Sequence, residues 1–194
     1  MKAVVNTVCR KCGAAHEMDA VSSVDVSADP SMKEKVLSGE LFTWTCPSCG
    51  EVNLVKYPFM YHDPEHRLLL VLSDASISAE AVPDGYCARR VRSVGELIEK
   101  IKIADCGLDD IVVEMCKYIT SEEMQRPDIE LKFLKTEGAD NDMIFTYPDK
   151  GEMQLLSVGF NVYEDCRGIL SRHPGVAPAG LPVIDSSWVR DLLG

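Results

Sequence analysis

Cys9-Arg10-Lys11-Cys12-Gly13 and Cys46-Pro47-Ser48-Cys49-Gly50 are the two stretches whose reading decides the fold of this chain. Each sets two cysteines three apart, with a glycine directly after the second. Two thiolates at that spacing reach one metal ion only if the backbone between them turns tightly and aims its N–H groups at the sulfur atoms. Glycine permits the positive φ of such a knuckle, and Pro47 pre-sets φ near −65° at its turn position. Two knuckles bring four thiolates, the complement of a closed tetrahedral site with no position left for water or substrate. Soft sulfur donors in that geometry suit zinc, and a closed site stabilises a fold without catalysing a reaction. Cys9, Cys12, Cys46 and Cys49 are therefore the expected ligands of one structural zinc ion. Iron held as in rubredoxins, which also pair CxxCG knuckles, is the less favoured metal. A thioredoxin-like dithiol fits worse, since it needs one CxxC at a helix start, without a helix-breaking glycine behind it.

The chain around the knuckles reads as the frame of a ribbon. Asp29 followed by Pro30 is a helix start, Met32, Val36 and Leu37 form an apolar stripe, and Gly39 ends the turn. Residues 41–45 lead into the second knuckle as a strand and residues 52–57 lead away, which predicts a hairpin. The unbroken run Leu68-Leu69-Leu70-Val71-Leu72 predicts a strand covered on both faces. Residues 74–85 read as a loop. Ser93 and Glu96 make a capping box for a helix with Leu97, Ile98, Ile101 and Ala104 on one face, closed by Gly107. A second helix starts near Leu108, carrying Ile111, Val112, Met115, Cys116 and Ile119 at 3.6-residue spacing. The two helices read as a hairpin.

From Asp128 the pattern alternates: Ile129, Leu131 and Phe133 interleave with Glu130 and Lys132. Further strands are expected over 142–147 and 152–158, giving an antiparallel meander. Asn161 with Glu164 forms another candidate capping box for a helix to about Ser171, and Asp185 caps a last helix carrying Trp188, Leu192 and Leu193. The fold class is α+β: a zinc-ribbon β unit with a helical hairpin, then a β meander with C-terminal helices. A boundary is expected near residue 127, separating 1–126 from 127–194.

Composition narrows the function classes. A formal charge of −11 over 194 residues repels polyanions, so nonspecific nucleic-acid binding is not expected. Arg89, Arg90 and Arg92 read as a solvated strand face. No apolar run approaches a membrane span, and the first residues lack the apolar stretch of a signal peptide, which places the expected site of action in the cytoplasm. Thiols there stay reduced, so the remaining four of the 8 cysteines, Cys87, Cys106, Cys116 and Cys166, are expected to be free.

Several residues invite a catalytic reading and do not sustain it. His62 and His66 flank Asp63-Pro64-Glu65, but proline inside that stretch favours a polar turn between strands over a metal-binding helix face. His16 follows a ligand set already complete with four thiolates, and His173 sits in a loop. Cys116 lies on an apolar helix face and Cys106 ends the preceding helix, both structural positions. Asp109 and Asp110 suit a helix first turn through its dipole alone. No phosphate-cradling loop and no serine-nucleophile signature is present.

The knuckles together with Tyr57-Pro58, Tyr61-His62-Asp63, Glu99-Lys100-Ile101 and Gly107-Leu108-Asp109-Asp110 give residues 7–117 a resemblance to the CpXC domain family of bacteria and archaea. Arg10 stands where the family name leads one to expect proline, with the cysteine spacing intact. The resemblance implies a paired-cysteine domain without assigned function. The expectation is a zinc-binding, non-catalytic binding or scaffolding module whose partner is a protein. A thiol-redox or rubredoxin-like electron carrier and a zinc-ribbon nucleic-acid regulator are the alternatives.

Overall fold

The computed structural model describes residues 2–74, 82–173, 175 and 180–193. Most of the expected loop over 74–85 lies outside them. The architecture is α+β, divided into two compact units, Met1–Ile98 and Glu99–Gly194.

In the first unit, β1 (Lys2–Val8) and β2 (Ala15–Val21) form an antiparallel hairpin with Val8 opposite Ala15. The first knuckle is its turn. β3 (Ser23–Asp25) then joins a four-stranded sheet of order β3-β6-β7-β8, with β6 (Phe59–Asp63), β7 (Leu68–Leu72) and β8 (Cys87–Val91). β7 is buried at every residue, as its apolar run predicts. Helix α1 (Ser31–Leu37) begins where the Asp29 carboxylate accepts from the N–H and hydroxyl of Ser31, and it ends at Gly39, φ +76°. A 3₁₀ turn over Glu40–Phe42 feeds β4 (Thr43–Thr45), which pairs antiparallel with β5 (Val52–Leu54) around the second knuckle. Phe42 packs edge-on to Phe59 with ring centroids 5.1 Å apart, and the Tyr57 hydroxyl donates to the Leu41 carbonyl at 2.7 Å. Buried aromatic rings thus anchor the second hairpin.

Arg89 departs from the solvated face expected of it. It is 8% exposed, on a strand beside the fully buried β7, and its Nη1 donates to the Ala88 carbonyl; Arg92 alone of the three is exposed.

Helix α2 (Val94–Asp105) opens with Ser93 Oγ accepting from Glu96 N–H at 3.1 Å. The Glu96 carboxylate reaches back one residue further than in a regular capping box, to the Arg92 N–H at 2.8 Å. The division between the two compact units falls inside this helix, after Ile98. The physical reason lies in Glu99 and Lys100, whose charges are paired with residues further along the chain.

In the second unit, Gly107 (φ +68°) closes α2: its N–H bonds the Ala104 carbonyl while Leu108 N–H bonds that of Ile103. Helix α3 (Asp110–Glu123) begins two residues later than expected, with Asp109 as its cap accepting from Ile111 N–H at 2.8 Å. Asp110 is buried and pairs with Lys100 at 2.9 Å, so an ion pair holds it beyond any dipole effect. The meander is present as β9 (Lys132–Glu137), β10 (Asp142–Asp149) and β11 (Glu152–Val158), in the order β11-β10-β9. β9 starts three residues after Ile129, because Ile129 N–H is taken by the Arg126 carbonyl in a turn.

Helix α4 (Phe160–Ser171) is not opened by the expected Asn161–Glu164 box. Gly159 is the cap residue without a side-chain bond, and Asn161 Oδ1 occupies the space a Cβ at position 159 would need. Helix α5 (Ser186–Leu193) is capped by Asp185, which accepts from Trp188 N–H at 3.0 Å. Val189, not Leu192 or Leu193, is its buried residue.

Candidate metal centre

The two knuckles are built alike. Gly13 N–H bonds the Cys9 carbonyl at 2.9 Å and Cys9 N–H bonds Ala14; Gly50 N–H bonds the Cys46 carbonyl at 2.9 Å and Cys46 N–H bonds Glu51. Gly13 and Gly50 share φ +73°. That shared turn points the backbone N–H groups inside each loop at the first sulfur of its pair.

The four sulfur atoms meet. Cys9 Sγ lies 3.5 Å from Cys49 Sγ and Cys12 Sγ lies 3.7 Å from Cys46 Sγ, and all four are within 4.8 Å of one another. A zinc ion bound at about 2.3 Å to four sulfurs sets a tetrahedron with edges of about 3.8 Å. Geometry and donor chemistry therefore fit a metal ion of that kind. Cys9 and Cys46 are buried, Cys49 is half-buried and Cys12 is exposed.

Electrostatics prepare the sulfurs unequally. The backbone N–H of Cys12, against the opposing effect of burial, draws the Cys9 thiol down to about 6, helped by the Lys11 N–H. Burial alone would raise Cys46, but the N–H groups of Ser48 and Cys49 outweigh it and hold the thiol low. Cys49 accepts from the Glu51 N–H, which favours its thiolate, yet burial and the three neighbouring sulfurs push it up to about 12. Without a cation the raised Cys49 thiol keeps its proton, so uptake of a metal ion would expel it. Lys11 Nζ is 3.4 Å from Glu51 Oε2, an exposed pair across the knuckles.

Sequence reasoning missed one residue here. Asn53 on β5 is 2% exposed, and its side chain reaches both knuckles. The signal was there in Val52-Asn53-Leu54, since asparagine is disfavoured in a strand unless its amide has a task. His16, set aside as a ligand, stacks on Trp44 with ring centroids 4.2 Å apart and 15° between planes.

The other candidates fall elsewhere. His62 lies on β6 and His66 in the turn between β6 and β7, as read from Pro64. His62 Nδ1 is 3.0 Å from Asp25 Oδ2 and its Nε2 3.2 Å from the Tyr86 hydroxyl; His66 Nδ1 is 2.9 Å from Asp63 Oδ2. The Ser27 hydroxyl chiefly, and then His62, hold Asp25 down at about 2. Cys116 is fully buried in the core of the second unit, where contact with the Cys166 thiol and then burial push it far up, a structural thiol as expected. Cys106 accepts from the Thr136 hydroxyl at 3.9 Å. No helix among the described residues is long and apolar enough to cross a membrane.

A family model described as CpXC protein matches residues 7–117, more than half of the chain and inclusive of all four cysteines. No curated protein and no solved structure gives a significant match.

Proposed function

Since the chain belongs to the CpXC protein family, we propose that Cys9, Cys12, Cys46 and Cys49 hold one structural zinc ion and that the protein acts as a non-catalytic binding module. The observation carrying this reading is the pair of sulfur separations, 3.5 and 3.7 Å, close to the edge of a zinc–thiolate tetrahedron. Zinc would supply the cross-link between two hairpins that belong to separate two-stranded sheets. Four thiolates fill its coordination, so its role is to stabilise. The partner proposed is a protein: a net charge of −11 disfavours polyanions, and Val4, Val8, Val52 and Leu54 stay exposed on the hairpins that carry the knuckles.

Elemental analysis and a visible spectrum of natively purified protein test the metal. One zinc per chain without colour is the expected result. Iron with visible bands would replace the reading with electron transfer. Metal-free protein with four reactive thiols would overturn it in favour of thiol redox chemistry.

A further inference from the structure

Asn53 makes three contacts with one amide group. Its Oδ1 accepts from the Arg10 backbone N–H at 2.9 Å, and its Nδ2 donates to the Glu51 carbonyl at 3.0 Å and to Cys9 Sγ at 3.6 Å. These partners fix the orientation of the amide, because turning it over would set its NH₂ against the Arg10 N–H and its oxygen against a carbonyl and a sulfur. The group is 2% exposed, so water does not replace a lost partner cheaply.

The contacts span the gap between hairpins. Arg10 and Cys9 belong to the first knuckle, Glu51 and Asn53 to the second hairpin, and β1-β2 and β4-β5 share no ladder. We infer that Asn53 is the positioning residue of the metal centre: it sets the first knuckle at bonding distance from the second and donates to the Cys9 sulfur. This rests on the zinc reading. A thiolate bound to a dication still carries excess negative charge, and a fixed N–H donor stabilises it, lowers its tendency to dissociate and shields it from electrophiles. Lys11–Glu51 also bridges the knuckles, but through an exposed pair that contributes little.

Two variants separate positioning from bulk packing. Asn53→Leu keeps the shape and removes all three bonds; Asn53→Asp keeps an acceptor for the Arg10 N–H and removes both donors. Expected for both is zinc binding roughly 10- to 100-fold weaker in competition with a chelator of known affinity. In the cobalt-substituted proteins the sulfur-to-metal charge-transfer band should move to lower energy as Cys9 loses its donor. Wild-type affinity and an unmoved band in Asn53→Asp would overturn the inference while leaving the zinc reading intact; wild-type protein that binds no metal would remove both. Should the variants fail to fold, the wild-type chain loaded with ¹¹³Cd decides. A scalar coupling from the metal to the Asn53 side-chain amide proton is expected, and its absence beside visible couplings to the knuckle backbone amides would refute the contact.

Discussion

Glu99 and Lys117 form an ion pair of 3.0 Å in which both side chains are almost completely buried. Glu99 Oε1 also accepts from the Phe133 backbone N–H at 2.7 Å, tying α2 to the start of β9. Lys117 reaches Glu114 at 2.9 Å, and Lys100 joins Asp110 at 2.9 Å and Glu114 at 3.3 Å. Five buried charged groups thus share one network in the second unit. Removing one partner strands charges that have already lost their water. Glu99→Leu is expected to cost about 3 kcal/mol or more, as breaking a buried pair does. Urea unfolding checks it; a loss below 1 kcal/mol would mean the network relaxes around the gap.

The same network sets a pH dependence. Burial alone would raise Glu99, but the charges of Lys117 and Lys132 and the Phe133 N–H hold it below its usual range. Burial alone would lower Lys100 and Lys117, but Glu114 with Asp110, and Glu114 with Glu99, hold them above theirs. The contribution of Glu99 is full above the ordinary carboxylate range and is lost as pH falls through its depressed value. Those of Lys100 and Lys117 are full below the ordinary lysine value and are lost as pH rises through their elevated ones. Thermal unfolding of the second unit should therefore be flat between about pH 5 and pH 10. In Glu99→Gln the acid limb should be shallower than in wild type. An identical acid limb would place the sensitivity elsewhere.

Gly13 and Gly50 hold φ +73° with nothing within 4 Å of where a Cβ would stand. Substitution there meets backbone strain and no clash. Gly13→Ala and Gly50→Ala should each cost about 1–2 kcal/mol, and nearly equally, because the knuckles are superimposable in their hydrogen bonds. Paired melting curves of zinc-loaded protein measure this. A large inequality would show that one knuckle bends where the other does not.

Much of this was legible because local rules and burial agree. The Cys-x-x-Cys-Gly spacing demanded two tight turns, the run from Leu68 to Leu72 demanded a doubly covered strand, and Gly107 stood where α2 had to stop. What was missed lies in partners distant in sequence. Arg89 looked like surface because its covering was invisible along the chain. Asn161 looked like a cap until Gly159, having no side chain, let its amide fold back over position 159. Strand β9 starts late because Arg126 claims the Ile129 N–H. Glu99 and Lys100 entered only through the family resemblance, because the groups on α3 and β9 that balance their charges lie distant along the chain. At the candidate metal centre the four clustered cysteines were readable from their spacing, but the part proposed for Asn53 emerged only once the hairpins were placed side by side.

Cys49, one of the four proposed ligands, is the residue that shows whether metal binding and the fold of the first unit are one equilibrium. Its sulfur lies 3.5 Å from Cys9 Sγ, linking hairpins that share no ladder. Structural zinc in small modules contributes on the order of 10 kcal/mol of binding energy that is available only to the folded state. Cys49→Ser, or chelation of the wild type, should therefore loosen β1-β2 and β4-β5 first. Their amides should lose hydrogen-exchange protection, while β9, β10 and β11, whose core of Phe133, Met143 and Phe145 includes none of the four clustered cysteines, should keep theirs. Cys116→Ser serves as the control, altering a buried thiol in that other core without touching the knuckles. A Cys49→Ser protein that has lost its metal yet keeps wild-type protection in both hairpins would show that aromatic packing around Phe42 and Phe59 is enough to hold them.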